Sequence, residues 1–246
     1  MHREPLIDTR FDVRRDSGSR DPDSHSATLR RYHRLLWGKP LPDGRTFELD
    51  ARLRHRSDHG DFSLASDAIT HTYRSWTRPS RLVDVVNQIP AHELTEFYDL
   101  GCTVGAYIVF PFPVRINDRW QMSINQARGI HPQIRDRFDI TLECIRLWYS
   151  NKHSPFAHRL DPYAFFFGLF PTFRGYVTHF LLDDLVTPDY TGVRFHVPFE
   201  GFSSDPLPVR SVEEYRKYMQ RSSEFVRARN IRINRYSLAL ERAIRG

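Results

Sequence analysis

Apolar residues recur at helical spacing in seven segments of the chain. A spacing of three or four residues between apolar positions is typical of a helix with one buried face. The predicted helices cover residues 28–37, 80–88, 91–100, 132–149, 155–170 and 173–186, and a long C-terminal segment that begins at residue 211. Ser211 and Glu214 match a capping box at the start of that last segment.

Other segments favour strands. Residues 103–110 are strongly apolar, 120–125 and 193–199 alternate, and 46–49 and 62–66 are short candidates separated by a polar loop over 52–61. The turn chemistry of Asn117 and Asp118 predicts a hairpin that joins 103–110 to 120–125. Because strands and helices do not alternate strictly, a doubly wound parallel sheet is not indicated. The predicted class is α+β, with a mixed or antiparallel sheet flanked by helices and a long basic C-terminal helix.

Length and composition indicate one globular domain of residues 27–246, preceded by a polar and partly irregular segment of residues 1–26. Hydrophobic residues make up 40% of the chain, which favours a packed core over disorder. No apolar run approaches the roughly 20 residues that a membrane helix needs, and the N-terminus lacks the apolar core of a signal peptide. We therefore expect a cytoplasmic protein without membrane contact, whose cysteines, Cys102 and Cys144, are buried free thiols.

Arginine sets the charge of the protein. The formal net charge is +6, and only three of the 36 basic residues are lysines. Residues 211–246 hold nine cations and four acids, a local charge of +5, so most of the net charge belongs to the predicted C-terminal helix. Its arginines are interleaved with aromatic residues, a combination that suits single-stranded nucleic acid. The predicted nucleic-acid contacts are Arg221, Arg227, Arg229 and Arg232. Alternatively, the aromatics belong to the core and the cations to a solvated face.

A second candidate site lies where the predicted strand 120–125 turns into the predicted helix 132–149. Unpaired N–H groups at a helix start attract anions. Asn125 and Arg128 precede that start and could bind a phosphate, with Gly129 in the turn. This hypothesis requires Arg128 to be exposed, so that its replacement by alanine leaves folding almost unchanged. The alternative is a surface turn with a solvated arginine.

Four charged residues share one face of the predicted helix 132–149. Arg135, Asp139, Glu143 and Arg146 are spaced by four, four and three residues. One interpretation is an ion ladder in which the arginines neutralise the carboxylates. The other makes Asp139 or Glu143 a catalytic acid or base, while Arg135 or Arg146 binds phosphate or carboxylate.

Motifs for metals and cofactors are missing from the sequence. His55 and His59 have the spacing of a helical zinc pair, but they lie in the predicted loop beside arginines that would oppose a cation. Neither a phosphate-cradling glycine-rich loop nor a hydrolase nucleophile elbow occurs. We expect no metal and no cofactor.

Several stretches resemble a family of uncharacterised bacterial proteins known as a domain of unknown function. The resembling stretches are residues 28–37, 39–42, 123–129, 136–146, 175–176, 180–182 and 228–230. They are scattered over most of the chain beyond the N-terminal segment. The resemblance implies relatives but no activity and no catalytic residues.

The charge distribution favours a cytoplasmic protein that binds a phosphate-bearing partner, either nucleic acid or a nucleotide. The alternative is a nucleotide-processing enzyme, such as an ADP-ribosyl or nucleotidyl transferase or a phosphodiesterase. A third class, a protein that only binds a protein partner, would show a large exposed apolar patch.

Overall fold

A computed structural model describes residues 7–57, 60–68, 84–116, 121–134, 137–203, 209 and 211–245. The α-helices whose bounds are described are α1 Pro22–His25, α2 Ala27–Trp37, α3 Ala91–Leu100, α4 Ile124–Ile130, α5 Phe138–Tyr149, α6 Ala157–Leu160, α7 Ala164–Phe167, α8 Phe173–His179 and α9 Val212–Arg245. Residues 84–86, part of the predicted helix 80–88, are helical as well, and residues 80–83 lie outside the described residues. The strands are β1 Arg54–Ser57, β2 Gly60–Ala68 and β3 Tyr107–Ile116. Together they make an α+β fold with a small antiparallel sheet and a long C-terminal helix, as the sequence predicted.

The sheet has the order β1-β2-β3, and both of its strand pairs are antiparallel. Arg54 faces Ser63 in the first pair, and Ala65 faces Phe110 in the second. The predicted hairpin was wrong, because β3 pairs with β2 and helix α4 begins at Ile124. Residues 117–120, where its turn was expected, lie outside the described residues.

The main core contains an aromatic cluster built from separate segments. The ring of Trp37 packs against Phe47, Phe166 and Phe180, at centroid distances of 4.4, 5.8 and 5.6 Å. Burying such rings provides a large part of the hydrophobic stabilisation of a core. Ile7 and Val13 from the predicted N-terminal segment are also buried in it. A smaller cluster, which includes Phe97 and Tyr215, packs α3 against the start of α9.

Helix α9 is continuous from Val212 to Arg245. The Ser211 hydroxyl accepts a hydrogen bond from the Glu214 N–H at 3.1 Å, which confirms the Ser211 half of the predicted capping box. Asn230 lies within the helix, and its side chain forms hydrogen bonds to another segment. Its Oδ1 accepts from the Gly105 N–H, and its Nδ2 donates to the Thr103 hydroxyl, both at 2.8 Å. These bonds hold the middle of α9 against the segment that leads into β3.

Several predicted elements differ from the structure. Residues 46–49 form no strand, whereas β1 lies inside the predicted loop 52–61. The predicted helix 155–170 is divided by a 3₁₀ turn at Asp161–Tyr163, which contains a proline without an N–H. Within 193–199 only Val193 makes a β-bridge, to Val186. The predicted helix 132–149 is helical from Phe138 onward, after a turn at 132–134.

Candidate functional site

Arg128 is a buried residue of helix α4. The Ser123 hydroxyl accepts from the Gln126 N–H, and the Gln126 side chain accepts from the Ser123 N–H, so a capping box starts this helix. The helix turns Arg128 inward, where its side chain is 1% exposed. Its Nε donates to Thr141 Oγ1 at 2.8 Å, and the guanidinium lies 5.5 Å from the centre of the Phe110 ring. The prediction that Arg128 is exposed in a turn was wrong, because the segment forms a helix.

Asn125 lies one turn before Arg128 and is partly buried. Its Nδ2 donates to the Ser66 carbonyl at 3.3 Å. Its Oδ1 is buried and has no hydrogen-bond partner among the residues that the structure describes. Asn125 therefore links α4 to β2 and leaves one buried acceptor unused.

Asp139 is buried at the start of α5. Its carboxylate accepts from Arg137 Nε at 3.1 Å, from the Ile140 N–H at 3.0 Å and from the His196 N–H at 2.9 Å. Burial raises the pKa of Asp139, but the Arg137 charge and these hydrogen bonds outweigh burial and hold the pKa below its usual value. The carboxylate thus holds the His196 segment against α5, and as an anion it is a poor proton donor.

Glu143 is engaged within its own helix. It accepts from Arg146 Nε at 2.7 Å and from Arg146 Nη2 at 2.6 Å, a bidentate pair that is partly buried. Arg135, the fourth member of the predicted charged face, lies outside the described residues. The structure therefore does not bring Asp139 and Glu143 to a shared partner: each carboxylate has its own arginine.

Arg229 is the central buried residue of helix α9. It is 0% exposed. Its five N–H donors all reach neutral oxygens, which are the Leu181, Gly105, Tyr107 and Phe180 carbonyls and the Tyr32 hydroxyl. The predicted nucleic-acid contact at Arg229 is therefore corrected. This guanidinium cannot reach a partner in solution, because it joins α9 to three other segments inside the core.

The other three predicted nucleic-acid contacts are at least partly accessible. Arg232 forms a bidentate pair with Asp184, in which both hydrogen bonds measure 3.0 Å. Arg221 donates from Nη1 to the Phe195 and His196 carbonyls, both at 3.3 Å, and lines a cavity of about 320 Å³. Arg227 is exposed and lines a larger concave site.

We call this larger site the α3–α9 groove. It has a volume of about 530 Å³ and is lined by Thr9, Arg10, Asp99, Leu100, Thr103, Arg227, Asn230, Ile231 and Asn234. The N-terminal segment, the end of α3 and the middle of α9 each contribute to it. A cavity of this volume falls within the usual range for small-molecule sites.

Two guanidiniums of the groove have no ion pair with any residue that the structure describes. In the described part of the chain, neither Arg10 nor Arg227 forms a salt bridge. By contrast, Asp99 accepts from Arg14 at 2.8 Å, which offsets its negative charge. The groove can therefore offer two forked cationic donors to an anion.

Asn234 and Ile231 add a polar and an apolar side chain to the wall of the groove. Asn234 Oδ1 is buried and lacks a hydrogen-bond partner within the described ranges. Ile231 is 53% exposed, and its apolar side chain lies between the polar positions. Arg10 and Asn234 were not predicted as site residues, because no local motif marks them and only the packing of the N-terminal segment brings them together.

Both cysteines are free and buried, which confirms the sequence prediction. Burial raises the pKa of Cys102 to about 11 and that of Cys144 to about 12, which disfavours the reactive thiolate. Among the described residues, no group of three or more His, Cys, Asp or Glu side chains could hold a metal ion. Within the same ranges no helix has the length and apolarity needed to cross a membrane.

Comparison with curated proteins gives no match, and neither does comparison with solved structures. A match to a protein family covers residues 7–233, which is most of the chain. The matched range includes every residue of the α3–α9 groove except Asn234, which directly follows it. The chain therefore belongs to DUF6994, a family of unknown function.

Proposed function

We propose that the protein binds a nucleotide, free or as part of a nucleic-acid strand, in the α3–α9 groove. The observation that carries this proposal is the pair of guanidiniums, Arg10 and Arg227, which meet at one concave site without a salt bridge among the described residues. Arginine presents its donors in a planar fork that matches two oxygens of a phosphate. The exposed location of both side chains leaves them open to such a ligand.

The remaining walls of the groove suit the rest of a nucleotide. Asn234 contributes a side-chain amide to the wall of the groove, and an amide can hydrogen-bond to the polar edge of a base. Ile231 and Leu100 can cover apolar ring surface, since they lie in the same groove.

Asp139 and Glu143 have no part in this proposal. Their carboxylates are engaged by Arg137 and Arg146, and neither residue lines the groove. The proposed activity is binding, and no observation favours the alternative of a nucleotide-processing enzyme at that helix.

Arg227→Gln and Arg235→Gln form a matched pair of variants. Both arginines are exposed on α9 and both changes remove one positive charge, but only Arg227 lines the groove. Fluorescence polarisation with labelled nucleotides and short single strands, at two salt concentrations, should show weaker binding for Arg227→Gln. Loss of a charge-assisted hydrogen bond costs about 1.5–3 kcal/mol, or about 10- to 150-fold in Kd.

The control variant separates a specific site from general attraction. Arg235→Gln should keep nearly all of the affinity, and the salt dependence should become shallower by about one charge in Arg227→Gln. Equal losses in both variants would mean diffuse electrostatic attraction and would overturn the groove. Absence of binding by the unmodified protein at low salt would overturn the proposed function as a whole.

A further inference from the structure

A second cavity borders α9, apart from the α3–α9 groove. It has a volume of about 320 Å³ and is lined by residues 184 and 194–196 on one side and by residues of α9 between 221 and 228 on the other. We call it the histidine cavity, because His196 lines it although that side chain is only 5% exposed. None of its lining residues belongs to the groove, so the two sites are separate.

Hydrogen bonds hold the wall around His196 from two sides. On one side, the Asp139 carboxylate accepts from the His196 N–H at 2.9 Å. On the other, Arg221 Nη1 donates to the Phe195 and His196 carbonyls, both at 3.3 Å, and Ser222 Oγ lies 3.1 Å from His196 Nδ1. These bonds fix the cavity before a ligand arrives, which lowers the entropy that binding costs.

Two guanidiniums line the histidine cavity without an ion pair to any described residue. Arg194 is held by its backbone, whose N–H donates to the Leu185 carbonyl at 2.8 Å, while its side chain is exposed. Arg221 uses only Nη1 in its hydrogen bonds to the described residues, and those bonds go to neutral carbonyls. Neither arginine forms a salt bridge within the described ranges. Both can therefore donate to an anion, and a planar carboxylate matches their forked geometry.

Of the two acids that line the cavity, only Glu224 lacks an ion pair to a described residue. Its carboxylate accepts from the neutral Gln220 amide at 2.9 Å. Asp184 is offset by Arg232, which donates two hydrogen bonds of 3.0 Å to it. Burial lowers the pKa of His196, so the imidazole is neutral near pH 7 and adds no charge. The cavity thus presents two unpaired cations and one unpaired carboxylate.

The rest of the lining is apolar. Phe195, Phe225 and Ala228 border the cavity, and Phe225 is 4% exposed. Aromatic and aliphatic walls favour a ligand with an apolar part of its own. A ligand that matches all of these walls carries a carboxylate, an ammonium group and an apolar side chain.

We propose that the histidine cavity binds a free α-amino acid as its zwitterion. The ligand carboxylate accepts hydrogen bonds from Arg194 and Arg221, its ammonium group donates to Glu224, and its apolar side chain packs on the phenylalanine rings. A cavity of about 320 Å³ lies at the lower end of the range for small-molecule sites, which suits a ligand as small as an amino acid. This site does not depend on nucleotide binding in the groove.

Ligand-observed NMR titrations with L-leucine and L-phenylalanine test the proposal. For whichever amino acid binds more tightly, the same titration is made with the carboxylic acid that lacks its amino group and with the amine that lacks its carboxylate. Arg194→Gln removes a partner of the carboxylate, and Glu224→Gln removes the partner of the ammonium group. Arg235→Gln is the control, since Arg235 is exposed on α9 and lines neither cavity. Thermal melts should show little change in any of the three variants, because all three side chains are exposed.

The expected result is saturable binding of at least one amino acid by the unmodified protein and by Arg235→Gln. Its affinity should fall at least about tenfold in Arg194→Gln and in Glu224→Gln, the size expected for one lost charge-assisted hydrogen bond. The analogues should divide: Arg194→Gln weakens the acid and not the amine, and Glu224→Gln does the reverse. Binding should persist in Arg227→Gln, which distinguishes this site from the groove and keeps its failure separate from that of the proposed function.

Three results would overturn the proposal. One is the absence of saturable binding with both amino acids. Another is an equal change of affinity in Arg194→Gln and Arg235→Gln, which would indicate general electrostatic attraction. The third is an unchanged amino-acid affinity in Glu224→Gln, because the ligand would then have no ammonium partner in the cavity and the amino-acid class would be wrong.

Discussion

Replacement of Arg229 by methionine should destabilise the protein more than any other single arginine change on α9. The methionine side chain keeps an apolar stem in the core but removes all five donors. These donors join α9 to Tyr32 on α2, to Gly105 and Tyr107 at the start of β3, and to Phe180 and Leu181 after α8. The substitution therefore leaves oxygens of three segments without this partner at the centre of the fold.

The expected magnitude follows from two opposing contributions. Hydrogen bonds to a charged donor contribute about 1.5–3 kcal/mol each, so five of them would nominally exceed about 7 kcal/mol. Against this, burial of the charged guanidinium costs several kcal/mol, and the uncharged methionine does not carry this penalty. We expect the first contribution to exceed the second and the free energy of unfolding to decrease by about 3–5 kcal/mol. Such a loss is a large share of the total stability of a typical domain.

Urea denaturation followed by circular dichroism measures this loss. Arg235→Met is the control, since Arg235 is exposed on the same helix and should change stability by no more than about 0.5 kcal/mol. The loss of stability in Arg229→Lys should lie between those of Arg229→Met and Arg235→Met, because an ammonium group has three donors and cannot replace the five donors of a guanidinium. A loss below about 1 kcal/mol in Arg229→Met would refute the reasoning, as it would mean that the oxygens readily find other partners.

Two further predictions concern close packing and pH. In Gly105→Ala the new Cβ would lie 2.6 Å from the Val226 carbonyl oxygen, so we expect the free energy of unfolding to decrease by about 1–3 kcal/mol. In Gly175→Ala the new Cβ would meet nothing closer than 3.5 Å, so the variant should be more stable by about 0.5 kcal/mol. Urea denaturation measures both changes. Burial lowers the pKa of His179 to about 3, whereas the unfolded value is 6.5. Below pH 6.5 the unfolded chain therefore binds a proton that the folded protein does not. The free energy of unfolding should decrease as the pH is lowered, by about 2 kcal/mol at pH 5. His179→Gln should flatten the dependence of Tm on pH and the exposed His153→Gln should not; an unchanged slope in His179→Gln would contradict this assignment.

Periodicity predicted the strongly amphipathic helices well. The helix over residues 28–37 corresponds to α2, that over 91–100 to α3, and the C-terminal one to α9. On α5, the apolar residues Phe138, Leu142 and Ile145 recur at helical spacing, and all three are buried. These helices are recognisable because the apolar residues that recur in the sequence also form the face that packs against the core.

Helix α4 was missed although the sequence carries its signal. Ser123 and Gln126 form a capping box, a start signal that outweighs the short alternation of residues 120–125. With a helix in place, Asn125 and Arg128 fall on the same side, three residues apart, and both point toward other elements of the fold. Arg128 and the following Gly129 instead suggest an exposed turn, because charged residues are usually exposed.

The burial of Arg229 follows a pattern that was available in the sequence. Residues Tyr215, Met219, Ser222 and Val226 define the inward stripe of α9, and the next positions at helical spacing are Arg229 and Ile233. All six residues are buried. A charged residue on an apolar stripe thus indicates a buried polar contact. Composition alone does not distinguish such a residue from an arginine that contacts nucleic acid.

The sequence by itself determined the α+β class, the helices α2 and α3, the start of the long C-terminal helix and the concentration of positive charge in that helix, because these depend on local spacing and on counting. Only the tertiary structure decided which arginines face solvent and which are enclosed. Arg227 and Arg229 are two residues apart on one helix, yet one opens into a groove and the other is buried against three distant segments. The reason is physical: a buried charge requires partners, and those of Arg229 come from segments about 50 to 200 residues away, whose approach no local pattern encodes.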